Sequence, residues 1–200
     1  MRRKTFDALL TTGGLIVAVV LAVAGGLLTW GHNFAESNVH NQLASQKIFF
    51  PTTAAIAAEK SPEITKYVTP YAGQQVTTGQ QAEVFANHYI AVHLRGVANG
   101  QTYSQVSHTW LSMKPTDPNY ATVTQQRATL FQGETLRGLL LNAYGFGKLG
   151  QIAKVASEAA FIAAGGMLIL VGLGVVHARS TKPEDELMSW LHDKTPAPVE

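Results

Sequence analysis

The chain has 200 residues, 46% of them hydrophobic, with a formal net charge of +2 and no cysteine. Only 14% are Asp, Glu, Lys or Arg, against about 25% in an ordinary soluble domain. That balance excludes a disordered chain, a disulfide scaffold, thiolate metal centres and cysteine nucleophiles. The longest basic run is Arg2-Arg3-Lys4, which gives no footing for nucleic acid as a partner.

Two uncharged runs account for the deficit. Residues 8–30 are apolar apart from three threonines, and as a helix they extend roughly 34 Å, enough to cross a ~30 Å hydrocarbon core. Residues 159–178 form the second run, roughly 30 Å of helix. A cleaved signal peptide is the competing reading of the first. Its apolar core is longer than the ~7–15 residues such peptides use, and Ala22-Val23-Ala24 lies inside the run rather than after it. An uncleaved anchor is expected.

Arg2, Arg3 and Lys4 precede the first span, while Arg179 and Lys182 follow the second. Basic residues at those ends place both termini in the cytoplasm. The expected organisation is therefore a cytoplasmic N-terminus (1–7), a span (8–30), an extracytoplasmic domain (31–158), a span (159–178) and a cytoplasmic tail (179–200).

Within the outer segment the apolar periodicity is helical. The first span continues outward through Phe34, Val39, Leu43 and Ile48. Phe85, Tyr89 and Val92 mark a helix face in residues 80–95, and Tyr103, Val106 and Trp110 mark another. Residues 122–144 carry a leucine-rich pattern broken by Gly133 and Gly138. The pieces ITKYV and VTTGQ favour strand but lack alternating partners. The expected fold class is all-α, a helical bundle on two transmembrane helices.

Gly145, Gly147 and Gly150 spell G-x-G-x-x-G. A dinucleotide site needs a strand before that motif and an acid about 20 residues on. A leucine-rich helix precedes it and Gly165 stands at that distance, so a flexible joint is expected instead. His88 and His93 are five apart, about 140° around an α-helix, and diverge. They could join Glu83 and His108 in a metal-dependent enzyme only through three-dimensional assembly. No cofactor or metal site is expected.

The spans carry the better signal. Gly14, Ala18, Ala22 and Gly26 recur every four residues, and Ala156, Ala160, Ala164 and Gly172 make a broken second stripe. Small residues at that spacing let membrane helices approach closely. The partner is the chain's own second span, a second copy, or another integral membrane subunit. In the tail, Thr181 and Glu184 fit a capping box ahead of an amphipathic edge of Leu187, Met188 and Leu191.

The order of spans and outer domain resembles the sensing half of bacterial chemoreceptors and sensor kinases, although the tail is too short for a transmitter domain. Residues 1–35 (MRRKTFDALLTTGGLIVAVVLAVAGGLLTWGHNFA), 42–51 (QLASQKIFFP) and 147–166 (GKLGQIAKVASEAAFIAAGG) resemble a group of uncharacterised actinobacterial two-span membrane proteins. That resemblance implies a bacterial plasma membrane. Some members carry an aromatic-ring-opening dioxygenase label, but the sequence offers no iron-ligand motif for it. The expected function is a non-enzymatic accessory subunit of a membrane complex. The alternative is a sensing module that holds a small molecule or lipid among Phe85, Tyr89, Tyr103 and Trp110.

Overall fold

The computed structural model describes residues 3–180, and these are all-helical, with no strand among them. The tail segment around Leu187 and Trp190 lies outside the described residues. Two helices dominate: α1, Arg3–Gln46, and α7, Tyr120–Ser180. Each contains a stretch long and apolar enough to cross a membrane. Between them come α2 (Thr53–Ala58), α3 (Pro62–Val68), a 3₁₀ turn (Thr69–Tyr71), α4 (Gly79–Val84), a π turn (Phe85–Ile90), α5 (Ala91–Val97) and α6 (Tyr103–Ser112).

The chain divides into two compact units. Residues 3–31 and 153–180 belong to one, and His32–Ile152 form the other.

In the first unit, α1 and α7 run antiparallel. Their buried or half-buried positions include Thr11, Gly14, Ala18, Leu21 and Gly25 on α1, and Ser157, Ala160, Ala164, Met167, Val171 and Gly174 on α7. Steps of three and four alternate along both rows, the 3.5-residue period of a left-handed helix pair. A strict four-residue stripe rotates about 40° per step away from such a seam. Gly14 and Ala18 therefore sit on the seam, whereas Ala22 and Gly26 are exposed. On α7, Ala156 and Ala160 are half-buried, Ala164 is buried and Gly172 is exposed. A Cβ on Gly14 would stand 3.0 Å from Val171, and one on Gly25 3.0 Å from the Phe161 ring. Thr29 and Ser157 approach at 2.6 Å, and each lies 2.9 Å from the Gly25 carbonyl. Two hydroxyl protons thus serve three contacts around one buried carbonyl.

In the second unit, local signals set the short helices. Thr52, Ser61, Thr78 and Thr102 each accept a backbone N–H at a helix start, and Thr78 and Thr102 form capping boxes with Gln81 and Gln105. The strand-favouring ITKYV lies in α3: Ser61 caps it, Pro62 occupies the first turn, and Ile64 and Val68 bury one face. Around VTTGQ the only pairing described is a single antiparallel bridge between Phe49 and Gln75.

The expected joint at residues 145–150 is overturned, because α7 passes through it unbroken. A Cβ on Gly147 would stand 3.4 Å from the Gly79 Cα, and one on Gly150 3.2 Å from the Ala35 methyl, while Gly145 has open space beside it. Gly147 and Gly150 are contact points within a helix. They give up about 1 kcal/mol of helix propensity each where a neighbouring helix needs the room.

Most of the core of this unit gathers Leu43 of α1 and Leu140 of α7 with Phe50, Ile56, Ile64 and Val76. A second cluster joins Leu94, Ala98, Val106 and Leu130.

Candidate functional site

Two features of the second unit bring polar chemistry together. The larger is a cleft of about 630 Å³ whose walls are α1 and α7. His32, Glu36 and His40 recur at i, i+4, i+8, so one face of α1 lines it. Tyr144, Lys148 and Gln151 come from α7, and Thr78 with Gly79 closes an end. His32 forms part of the frame: its Nδ1 lies 3.0 Å from the Gly150 carbonyl and its Nε2 3.2 Å from Glu36. Lys148 Nζ donates to the Gln151 side-chain oxygen at 3.2 Å. Glu36 is well exposed to solvent.

The smaller feature is built on the π turn. A π turn closes i→i+5 bonds, so a residue five positions on returns over the first; the Ala91 N–H indeed reaches the Ala86 carbonyl. On such a turn the α-helical angle of about 140° between residues 88 and 93 no longer applies. His88 lies 3.2 Å from Glu63 and His93 3.2 Å from Glu59, two acids four residues apart. The Tyr67 ring stacks on His88 at 3.8 Å, and Arg95 pairs with Glu63. From α7, Arg137 Nε donates to the Ala86 carbonyl at 3.1 Å. The turn is thereby tied on two sides. A helical wheel with a fixed 100° step could not show this pairing.

The His88 hydrogen bond and the Arg95 guanidinium hold the Glu63 carboxyl below the usual glutamate range, against a smaller opposing effect of desolvation. A depressed acid contributes stability above its unfolded-state value of about 4.3 and loses it as pH falls below that. Glu63→Gln should lower the thermal midpoint at pH 7, and the gap to the parent should narrow as pH falls below about 4.3. Melting curves across that range check it; a gap unchanged at pH 3 would show that the carboxylate charge is not the cause.

The expected ligand-holding aromatics fall into two groups, Phe85 with Tyr89 and Tyr103 with Trp110. Phe85 and Tyr89 pack with Phe50, at ring distances of 5.3 Å for Phe50–Phe85 and 5.0 Å for Phe85–Tyr89. Tyr103 lies 5.5 Å from Phe131 in ring-centre distance, against the second cluster. Trp110 holds Arg127 4.4 Å over its ring and donates to Thr124 at 2.8 Å. None of the four lines the cleft. The postulated metal set also fails to converge. His88 and His93 go to glutamates of their own, Glu83 contacts Asn87 and Gln80, and no group of three ligands suited to a metal occurs among the described residues.

The cleft residues were visible in the sequence only as scattered polar positions. The H-x-x-x-E-x-x-x-H spacing of residues 32–40 is the one local signal for it. The opposing wall is more than a hundred residues away in the chain and left no trace. Compared with protein-family models, curated proteins and solved structures, the chain matches none.

Proposed function

We propose that this chain is a non-enzymatic, two-span accessory subunit of a larger bacterial membrane assembly, with residues 31–158 outside the plasma membrane and both termini in the cytoplasm. The distribution of Arg2, Arg3, Lys4, Arg179 and Lys182 supports that orientation. The observation that carries the subunit reading is a row on α7 within the second unit. Phe131, Leu139, Phe146 and Leu149 are 55%, 61%, 49% and 61% exposed, and their spacing holds them within about 80° of one helix face. An aqueous surface does not ordinarily align four large apolar side chains on one helix unless a partner covers them. The complementary surface is an apolar helix of another membrane subunit. Ala22 and Gly26, exposed on α1, offer a close-packing face inside the bilayer as well.

Native mass measurement after extraction in mild detergent, with mass spectrometry of the co-migrating chains, tests this. The expected species contains this chain with a defined set of other membrane proteins, and Leu139→Glu releases them while the helical circular dichroism stays unchanged. A species of one or two copies of the chain alone would overturn the reading.

A second reading, a ligand-holding module, is favoured by the cleft rather than by the aromatics that first suggested it.

A further inference from the structure

The cleft between α1 and α7 has a charge arrangement that the subunit reading does not use. Its volume of about 630 Å³ lies within the ~300–1,000 Å³ range of small-molecule sites. Apart from the histidines, it carries one charge on each wall, Glu36 on α1 and Lys148 on α7. The two are not ion-paired with each other: Glu36 meets His32, and Lys148 meets Gln151. The space between them is therefore bordered by an acceptor of ammonium on one side and a cation for anionic oxygens on the other. Gln151 adds an uncharged donor in its side-chain amide.

Phe34 and Ile152, each next in sequence to a lining residue, are 56% and 64% exposed. The lining starts at His32, two residues past the apolar run of residues 8–30. In the two-span reading, on which this inference rests, that puts the cleft at the membrane surface, where amphiphile head groups lie.

We propose that this cleft binds the head group of an amphiphile that carries a phosphate and a primary ammonium, the chemistry of a phosphoethanolamine lipid. Glu36 accepts hydrogen bonds from the ammonium, and Lys148 with the Gln151 amide donates to the phosphate oxygens. A quaternary choline has no N–H to offer Glu36, and a phosphoglycerol head group offers it only neutral hydroxyls in place of a cationic donor. The site therefore ranks ethanolamine lipids first.

The test is lipid retention by the full chain. The protein is reconstituted into nanodiscs of equimolar phosphatidylethanolamine, phosphatidylcholine and phosphatidylglycerol, released, and the retained lipid identified by native mass spectrometry. Retained phosphatidylethanolamine should exceed each of the others about tenfold, the size of one charge-assisted hydrogen bond. Glu36→Gln should abolish the preference over phosphatidylcholine, and Lys148→Gln should abolish retention. Lys154→Gln, which removes the same charge outside the cleft, should change neither. Circular dichroism of each variant separates loss of site from loss of fold, and Glu36→Asp supplies a charge-retaining check. Millimolar glycerophosphoethanolamine separates the two sources of the chemistry. Failure to displace the lipid supports the amphiphile, and binding of the soluble ester without lipid retention overturns it. Equal retention of the three lipids, a preference for phosphatidylglycerol, or variants that behave as the parent would each overturn the proposal.

Discussion

Valine at position 79 should destabilise the His32–Ile152 unit severely, while alanine at the facing position 147 should be harmless or mildly stabilising. Gly79 opens α4, and a Cβ added there would stand 3.1 Å from the Ala143 carbonyl oxygen and 3.2 Å from the Tyr144 Cα. Both are backbone atoms of a long helix. Neither can rotate aside as a side chain would, so α4 itself must back away. Overpacking of this kind costs about 1–3 kcal/mol for one or two carbons, and the branched γ-carbons of valine extend the clash. The displacement also strains the Thr78–Gln81 capping box, whose Thr78 side chain sits one residue upstream. Gly147 meets a different limit. Its added Cβ would rest 3.4 Å from the Gly79 Cα, ordinary contact, and alanine inside a helix gains up to about 1 kcal/mol over glycine. Thermal unfolding of Gly79→Val and Gly147→Ala, with hydrogen exchange on the α4 amides, reads both. A Gly79→Val protein that melts with the parent would show that α4 does not depend on this close approach.

The same pair shows why a glycine motif misleads when read alone. G-x-G-x-x-G implies flexibility only if nothing occupies the space beside each glycine. Here α4 lies beside Gly147 and the Ala35 methyl beside Gly150, and those neighbours are distant in the chain. What could be read from sequence was whatever depends on near neighbours. The two long uncharged runs, the helical periodicity around Phe85 and Tyr103, and the helical character of residues 122–144 all rest on spacing within a turn or two. The phase of the span seam was harder. Gly14 and Ala18 belong equally to a four-residue stripe and to a 3.5-residue seam, and the two diverge only at Ala22 and Gly26. The pairing of His88 with Glu63 and of His93 with Glu59 was hidden for a different reason. It depends on a π turn tied down by Arg137 from α7, a contact spanning some fifty residues. The ITKYV segment shows local caps overriding propensity: Ser61 and Pro62 start a helix that β-branched residues alone would not favour. The cleft needs both long helices in register, so no single segment announced it.

Leu140→Ala should produce the largest loss of stability of any conservative truncation in this unit. Leu140 is 1% exposed and sits in the main core with Leu43, which reaches it from α1. Its neighbour Leu139 is 61% exposed on the same helix. The two leucines are adjacent in sequence, yet about 100° apart around α7, and physics assigns them opposite roles. Removing the buried one deletes transfer energy and leaves a cavity. Leu→Ala at such sites costs about 2.7–5 kcal/mol, a large part of the ~5–15 kcal/mol that holds an ordinary domain together. There is no disulfide to limit the damage, since the chain has no cysteine. Because Leu43 and Leu140 come from the two long helices, the cavity would loosen α1 from α7 before it loosened the short helices. Hydrogen-exchange protection should therefore fall at the α1 amides near Leu43 as well as around Leu140. Leu139→Ala removes the same atoms from the surface and should shift the melting midpoint little, so the difference between the two variants isolates burial from chemistry. Equal melting of the two would mean that Leu140 is not held in a packed interior, and that α1 and α7 are joined by something other than this core.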